Sequence, residues 1–375
     1  MTEIEDQDHK SLGFEEPVHG LDAYPLDSVL IRTEQRSIID VLRRIGRDAV
    51  KLDPEFQRAF VWSEERQSRL IESILMRIPL PVFYFAEQRE GSLLSLVVVD
   101  GLQRLSTMKR FHENKLKLKL QSDEINSEIN DANFDELPQR LKDRFEDGQI
   151  TLYLIDHRLP DRVRLDIFER VNSGVPLTRQ QMRNALYSGA ATRLLKELAE
   201  ADVFVEATHK SLSKEAYQKD MLDRQGINRF LAFYVLGWRR VAKEPWDFED
   251  RLGQALQKLN AESDEVRASA KEAFLASMRA NLAVFGDYAF RKHAATDERK
   301  KPFNINLFDV FSVMFSRWPE ESIKTNSAAI QKGFFQLIGR DDFLRSLSAA
   351  TTSPESVAMR FDLTEQMLKE VLGDP

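Results

Sequence analysis

Five consecutive residues, Asp100-Gly101-Leu102-Gln103-Arg104, carry the sharpest chemical signal in this chain. They follow an apolar, β-branched run at 93–99 and open a segment in which Leu105, Met108 and Phe111 recur every three residues. That spacing predicts a strand running straight into a helix. A helix start offers unpaired N–H groups and positive potential to an anion. Gly101 has no Cβ, so a phosphate can approach its backbone. Arg104, one turn into the helix, presents a fork of donors that suits phosphate oxygens. Gln103 and Ser106 stand beside it. Asp100 can hold Mg2+ through water, because magnesium favours carboxylate and phosphate oxygens. The same residues also fit a structural use, with Asp100 capping the helix and Arg104 in a surface ion pair.

Two other segments have side chains of the right kind. Gln57 and Arg58, in the loop leading to Trp62, can meet a base edge or a phosphate. Equally, Phe56, Phe60 and Trp62 can simply fill the core. Asn172-Ser173-Gly174 forms a turn signal after the helical pattern at 161–171. Asn172 can read a polar ligand or merely stop that helix.

These residues need a scaffold, and the pattern supplies one. Ser37 caps a helix over 37–45, and Ser63 caps another over 63–78 whose stripe is Leu70, Ile71, Ile74, Leu75 and Ile78. Strands are expected at 50–52, 82–86, 93–99 and 150–156, with a polar, acidic excursion at 121–147. Thr178 and Gln181 make a capping box for a helix ending near Gly189. From about 190 onward the segments 191–200, 213–240, 247–260, 264–286, 304–318, 327–338 and 354–372 all read as helical. The fold class expected is therefore α+β, a mixed-sheet core followed by an all-α region.

Composition bounds the chemistry. The 375 residues contain no cysteine, which excludes disulfides and thiolate metal sites. The formal net charge is −7, but residues 1–24 hold seven acids and one lysine, so the rest is close to neutral. That acidic start reads as a flexible tail and lacks the pattern of a secretion signal. No run is long and apolar enough for a membrane helix, so a cytoplasmic protein without membrane contact is expected. The six histidines show no metal-ligand spacing, no Gly-Lys dipeptide exists for a phosphate loop, and no nucleophile elbow is present. A self-contained nuclease is not expected. Local basic residues, Arg239, Arg240, Lys292, Arg299, Lys300 and Lys301, are candidates for DNA phosphate contact or an ordinary solvated surface.

Taken in order, the three segments resemble the N-terminal domain family of GmrSD-type restriction enzymes. That family shows Q-R-x-x-x-W, then D-G-Q-Q-R-L after a strand, then F-x-x-x-N-x-x-G-x-x-L. This chain has Gln57-Arg58 before Trp62, then Asp100-Gly101-Leu102-Gln103-Arg104-Leu105, then Phe168 and Asn172, with Gly174 and Leu177 one residue nearer to Asn172 than in that pattern. The resemblance implies a ParB/sulfiredoxin-like nucleotide-binding domain over 25–190, after the 1–24 tail and before a helical domain over 191–375. It implies a nucleoside triphosphate with Mg2+. Gly101, Gln103, Arg104 and Ser106 would meet phosphates, Gln57 and Arg58 would approach from the opposite wall, and Asn172 would complete the pocket. Asp100, Gln103 and Arg104 would carry any hydrolysis. The expected role is a restriction or anti-phage component that gates DNA recognition or a nuclease partner protein, with homo-oligomers possible in principle. The alternative is a non-hydrolysing DNA- or protein-binding module of the same fold. Leu102, where the family has glutamine, favours that alternative. A third reading, direct DNA cleavage by Asp53, Glu55 and Asp100 around a metal, has no pattern that brings them together.

Overall fold

Strand β1 (Ile31–Ser37) passes directly into helix α1 (Ile38–Gly46), because the Ser37 hydroxyl accepts the Asp40 amide and starts the helix. In the computed structural model the described residues are 31–52, 62–90, 93–120, 129–171, 177–212, 220–242, 247–293, 300–348 and 351–375. The chain divides into two compact units, one spanning Tyr24–Leu177 with Asn184–Leu186, the other Thr178–Arg183 with Tyr187–Pro375.

The first unit is built on a five-stranded mixed sheet. After β1 come β2 (Val50–Lys51), β3 (Phe83–Glu90), β4 (Leu93–Asp100) and β5 (Gln149–Ile155), in the spatial order β1-β5-β3-β4-β2. β3 lies parallel to β5 and antiparallel to β4, while β1 pairs antiparallel with β5. Helices α1, α2 (Glu64–Leu75), α3 (Leu102–His112) and α4 (Gln139–Glu146) pack on one another. Their apolar stripes meet Phe83, Phe85, Val98, Ile150, Leu152 and Leu154 in one core. On β4 the alternate residues Val97 and Val99 are buried as well, so both faces of that strand are covered. Helix α5 (Asp161–Val171) contacts β4.

Three local expectations need correction. β1 was not anticipated, because Ile31–Ser37 alternates charged and polar residues at the sheet edge. Helix α2 stops at Leu75, and Ile78 is 49% exposed instead of completing the stripe. The cause is a reversal at Arg77, whose φ is +59°. The Ile78 amide bonds back to the Ser73 carbonyl and the Arg77 amide to Ile74. This is a Schellman stop with arginine in the left-handed position. Nor is 121–147 only a polar excursion. Phe134 and Leu137, in the turn before α4, and Leu141 and Phe145 on it all enter the core.

The second unit is helical. Thr178 and Gln181 exchange backbone–side-chain bonds and start α6 (Arg179–Leu186) as the capping box requires. There follow α7 (Ala190–Ala199), α8 (Asp202–Ala207), α9 (Leu222–Leu236), α10 (Trp238–Val241), α11 (Phe248–Ala261), α12 (Asp264–Phe285), α13 (Ile305–Phe315), α14 (Glu320–Thr325), α15 (Ser327–Ile338), α16 (Asp341–Ser346) and α17 (Pro354–Leu372). The helical stretch expected over 213–240 is broken at Gly237, which has φ +82°. Every residue of α13 is buried, and α9, α12 and α17 pack around it. Its Asp309 accepts a two-nitrogen clamp from Arg229 at 2.9 and 2.5 Å, and Arg360 Nη2 lies 3.6 Å away. Burial pushes Arg360 down to about 10, since two cations share one acid in the core. Among the described residues no helix is long and apolar enough to cross a membrane.

Candidate functional site

Asp100 closes β4, and Gly101 turns the chain into α3 with φ +101°, a conformation that side chains with a Cβ rarely adopt. No side chain caps the helix, so its first-turn amides are left to whatever lies beyond the turn. The strand-to-helix junction expected from the sequence is present. Gln103 and Ser106 are half-buried on α3, and Leu102 packs against the core.

The arginine differs from expectation. Arg104 Nη1 donates to the Pro81 carbonyl, and Nη2 donates to the Val82 carbonyl at 3.0 Å and to Asp100 Oδ2 at 2.8 Å. Its guanidinium carbon stands over the Phe83 ring, 4.1 Å from the centroid. The side chain is 11% exposed, against 36% for Asp100. Burial lowers the Arg104 pKa, and the Asp100 charge only partly offsets this. The fork is thus not offered to an outside anion. It ties the start of α3 to the segment entering β3. Gly101 serves the same packing, because a Cβ there would collide with the Phe83 ring and press on Arg104. Asp100, expected as a magnesium ligand, has an arginine as its partner and joins no group of metal-ligating side chains among the described residues.

Gln57, Arg58 and Asn172, and with them Asp53 and Glu55, lie outside the described residues. Trp62 packs partly against the core and lies under Arg66, and Phe168 is fully buried. A cleft of about 890 Å³ does open in this unit. Arg140, Asp143 and Arg144 of α4, with Asp147 just after it, form one wall, and Arg77 and Leu80 line it too. Neither Asp100 nor any residue of the α3 start lines it. In the helical unit the basic candidates already have partners. Arg239 pairs with Glu365, Lys292 donates to the Leu347 carbonyl at 3.2 Å, and Lys300 is 3.6 Å from Asp287. Arg299 lies outside the described residues.

Sequence reasoning missed a second group, where β3 meets the end of β5. Parallel pairing sets Ala86 of β3 beside Ile155 of β5, so Glu87, still within β3, and Asp156, just past β5, stand side by side. His157 Nδ1 lies 3.1 Å from Glu87 Oε2 and 3.5 Å from Asp156 Oδ1. The acid side chains are 3% and 5% exposed. Arg32 pairs with Glu87, and Arg158 binds Asp156 through Nε at 3.0 Å and Nη2 at 2.7 Å. These arginines are 56% and 67% exposed. The Arg158 bonds hold the Asp156 carboxyl well below the usual carboxylate range. The available signal was an acid ending the apolar run Phe83-Tyr84-Phe85-Ala86 and an Asp-His pair ending another.

No curated protein and no solved structure matches this chain. Residues 38–188, which hold the β4–α3 turn and this acid–histidine group, match the family described as GmrSD restriction endonuclease, N-terminal domain. Over that segment, less than half of its length, the chain is similar to the N-terminal domain of GmrSD restriction endonucleases.

Proposed function

We propose that this protein is a component of a restriction or anti-phage defence system whose sheet-bearing unit binds a nucleoside triphosphate with Mg2+ at the β4–α3 turn. The family match supports the defence role. One observation carries the nucleotide reading: a buried strand runs into an uncapped helix through a glycine at positive φ. Such a start aims several amides and the positive helix end at one point. The first-turn amides would meet phosphate oxygens, with Gln103 and Ser106 at the side. Asp100 is the carboxylate at the turn that would hold Mg2+, since it is the more exposed partner of its ion pair. When bound, the metal would neutralise charge on the phosphates. Arg104 is assigned a positioning role, because its donors hold the turn closed on Pro81, Val82 and Asp100. Any turnover would gate DNA recognition or a nuclease partner, with Gln57, Arg58 and Asn172 remaining candidates for the rest of the pocket.

The test is calorimetric titration of the full chain with each nucleoside triphosphate and Mg2+, followed by phosphate release. Saturable binding that is lost in Arg104→Ala supports the reading. Normal affinity in that variant refutes the assignment of this turn.

A second reading is favoured by the same arginine. If Arg104 is purely architectural and Leu102 belongs to the core, the unit is a non-hydrolysing DNA- or protein-binding module. DNA binding that weakens with salt, without any nucleotide binding, would select it.

A further inference from the structure

We infer that Glu87, Asp156 and His157 form a binding site for a first-row divalent transition-metal ion. One ligand atom from each residue falls within 4.8 Å of the other two. Protein nitrogen and oxygen bind such ions at about 2.0–2.2 Å. Two ligands on a tetrahedral or octahedral ion at that radius stand roughly 3.0–3.5 Å apart. The imidazole Nδ1 is 3.1 and 3.5 Å from its two carboxylate oxygens, so the spacing already suits a shared ion. A neutral imidazole carries one proton for two acceptors, and a metal would satisfy both carboxylates at once.

The donor set selects the ion. One nitrogen and two carboxylates suit manganese, iron, cobalt or zinc, and a nitrogen ligand disfavours calcium and magnesium. The scaffold is rigid where it matters. Glu87 is carried by β3, and Asp156 and His157 follow β5 directly. Arg164 Nη2 donates to the Glu87 carbonyl at 3.0 Å and holds that backbone in place. Charge also fits. Two buried carboxylates need positive charge, and Arg32 and Arg158 supply it from the solvent side. Both arginines are more than half exposed, so a divalent ion can take their place on the two carboxylates. This site does not depend on the nucleotide reading, and its test contains no nucleotide.

The experiment titrates the full chain with Co2+, followed by visible absorption, and with Mn2+ and Zn2+ by calorimetry. The wild type should bind one equivalent of Co2+ with d–d absorption. Glu87→Gln and His157→Ala should each weaken binding by about tenfold or more. Arg158→Ala should bind at least as tightly as wild type, because that arginine competes with the metal for Asp156. Circular dichroism checks folding. Should Glu87→Gln fail to fold, His157→Ala, on a three-quarters-buried side chain, carries the comparison. No saturable binding by the wild type, or equal binding in Glu87→Gln and His157→Ala, overturns the assignment and leaves an ion-pair network only. Abolished binding in Arg158→Ala would also overturn it.

Discussion

At two places on one sheet, acids and arginines meet with opposite burial. At the β4–α3 turn the arginine is buried and the acid half-exposed. At the Glu87–Asp156–His157 group the acids are buried and the arginines stand in solvent. The exposed member of a pair can change partner at little expense, whereas the buried one cannot. The difference assigns the roles. Arg104 is held by the turn it closes, and Asp100 is the more exposed partner of that pair. Glu87 and Asp156 are fixed, and their arginines can leave. The helical unit holds the extreme case, Asp309, where acid and both arginines are all buried.

That ordering can be broken by mutation. The largest effect should come from Asp309→Ala, which leaves two buried guanidinia uncompensated. A loss of about 3–5 kcal/mol is expected in the urea transition of the helical unit. A loss near that of an exposed pair would contradict the comparison. Gly101→Ala combines backbone strain with a collision against Phe83, and should destabilise the sheet unit by about 3 kcal/mol. An unchanged urea midpoint would show that the Phe83–Arg104 stack yields easily.

Asp223 sharpens the comparison, because it is a buried acid with no ion pair among the described residues. Burial pushes it up to about 6 from 3.8, with Glu200 adding to the rise, while the Arg224 amide and charge oppose it. Between these values the folded state binds the extra proton. Its contribution to stability is therefore full below about pH 4 and is lost as pH rises through about 6. Asp223→Asn should remove this dependence and be more stable than wild type at pH 7, by about 2 kcal/mol. Urea midpoints of both proteins at pH 4 and pH 7 measure it, and a gap that does not change with pH would sink the idea. The smallest effect belongs to Arg32→Ala, within about 1 kcal/mol, because its side chain is largely exposed. A larger loss would mean that Glu87 depends on that arginine and is not poised to accept another cation.

Much of the scaffold was legible locally. Ser37, Ser63 and the Thr178–Gln181 box each mark a helix start within a few residues of sequence. The glycine turn after β4 was equally visible, as an apolar run ending in Asp-Gly. What stayed hidden depends on distant partners. Arg104 meets backbone carbonyls more than twenty residues upstream, and a carbonyl carries no sequence signature. Glu87 and His157 are seventy residues apart and converge only through the β3–β5 register. His157 therefore read as an isolated histidine. β1 was missed because a polar edge strand resembles a loop in composition.

Nucleotide binding at the β4–α3 turn is decided by titration calorimetry of the full chain against Mg2+ and the four ribonucleoside triphosphates. Saturable binding of at least one of them is expected, abolished in Arg104→Ala while circular dichroism shows the fold retained. Heats indistinguishable from dilution for all four, with the wild-type protein folded, would contradict it.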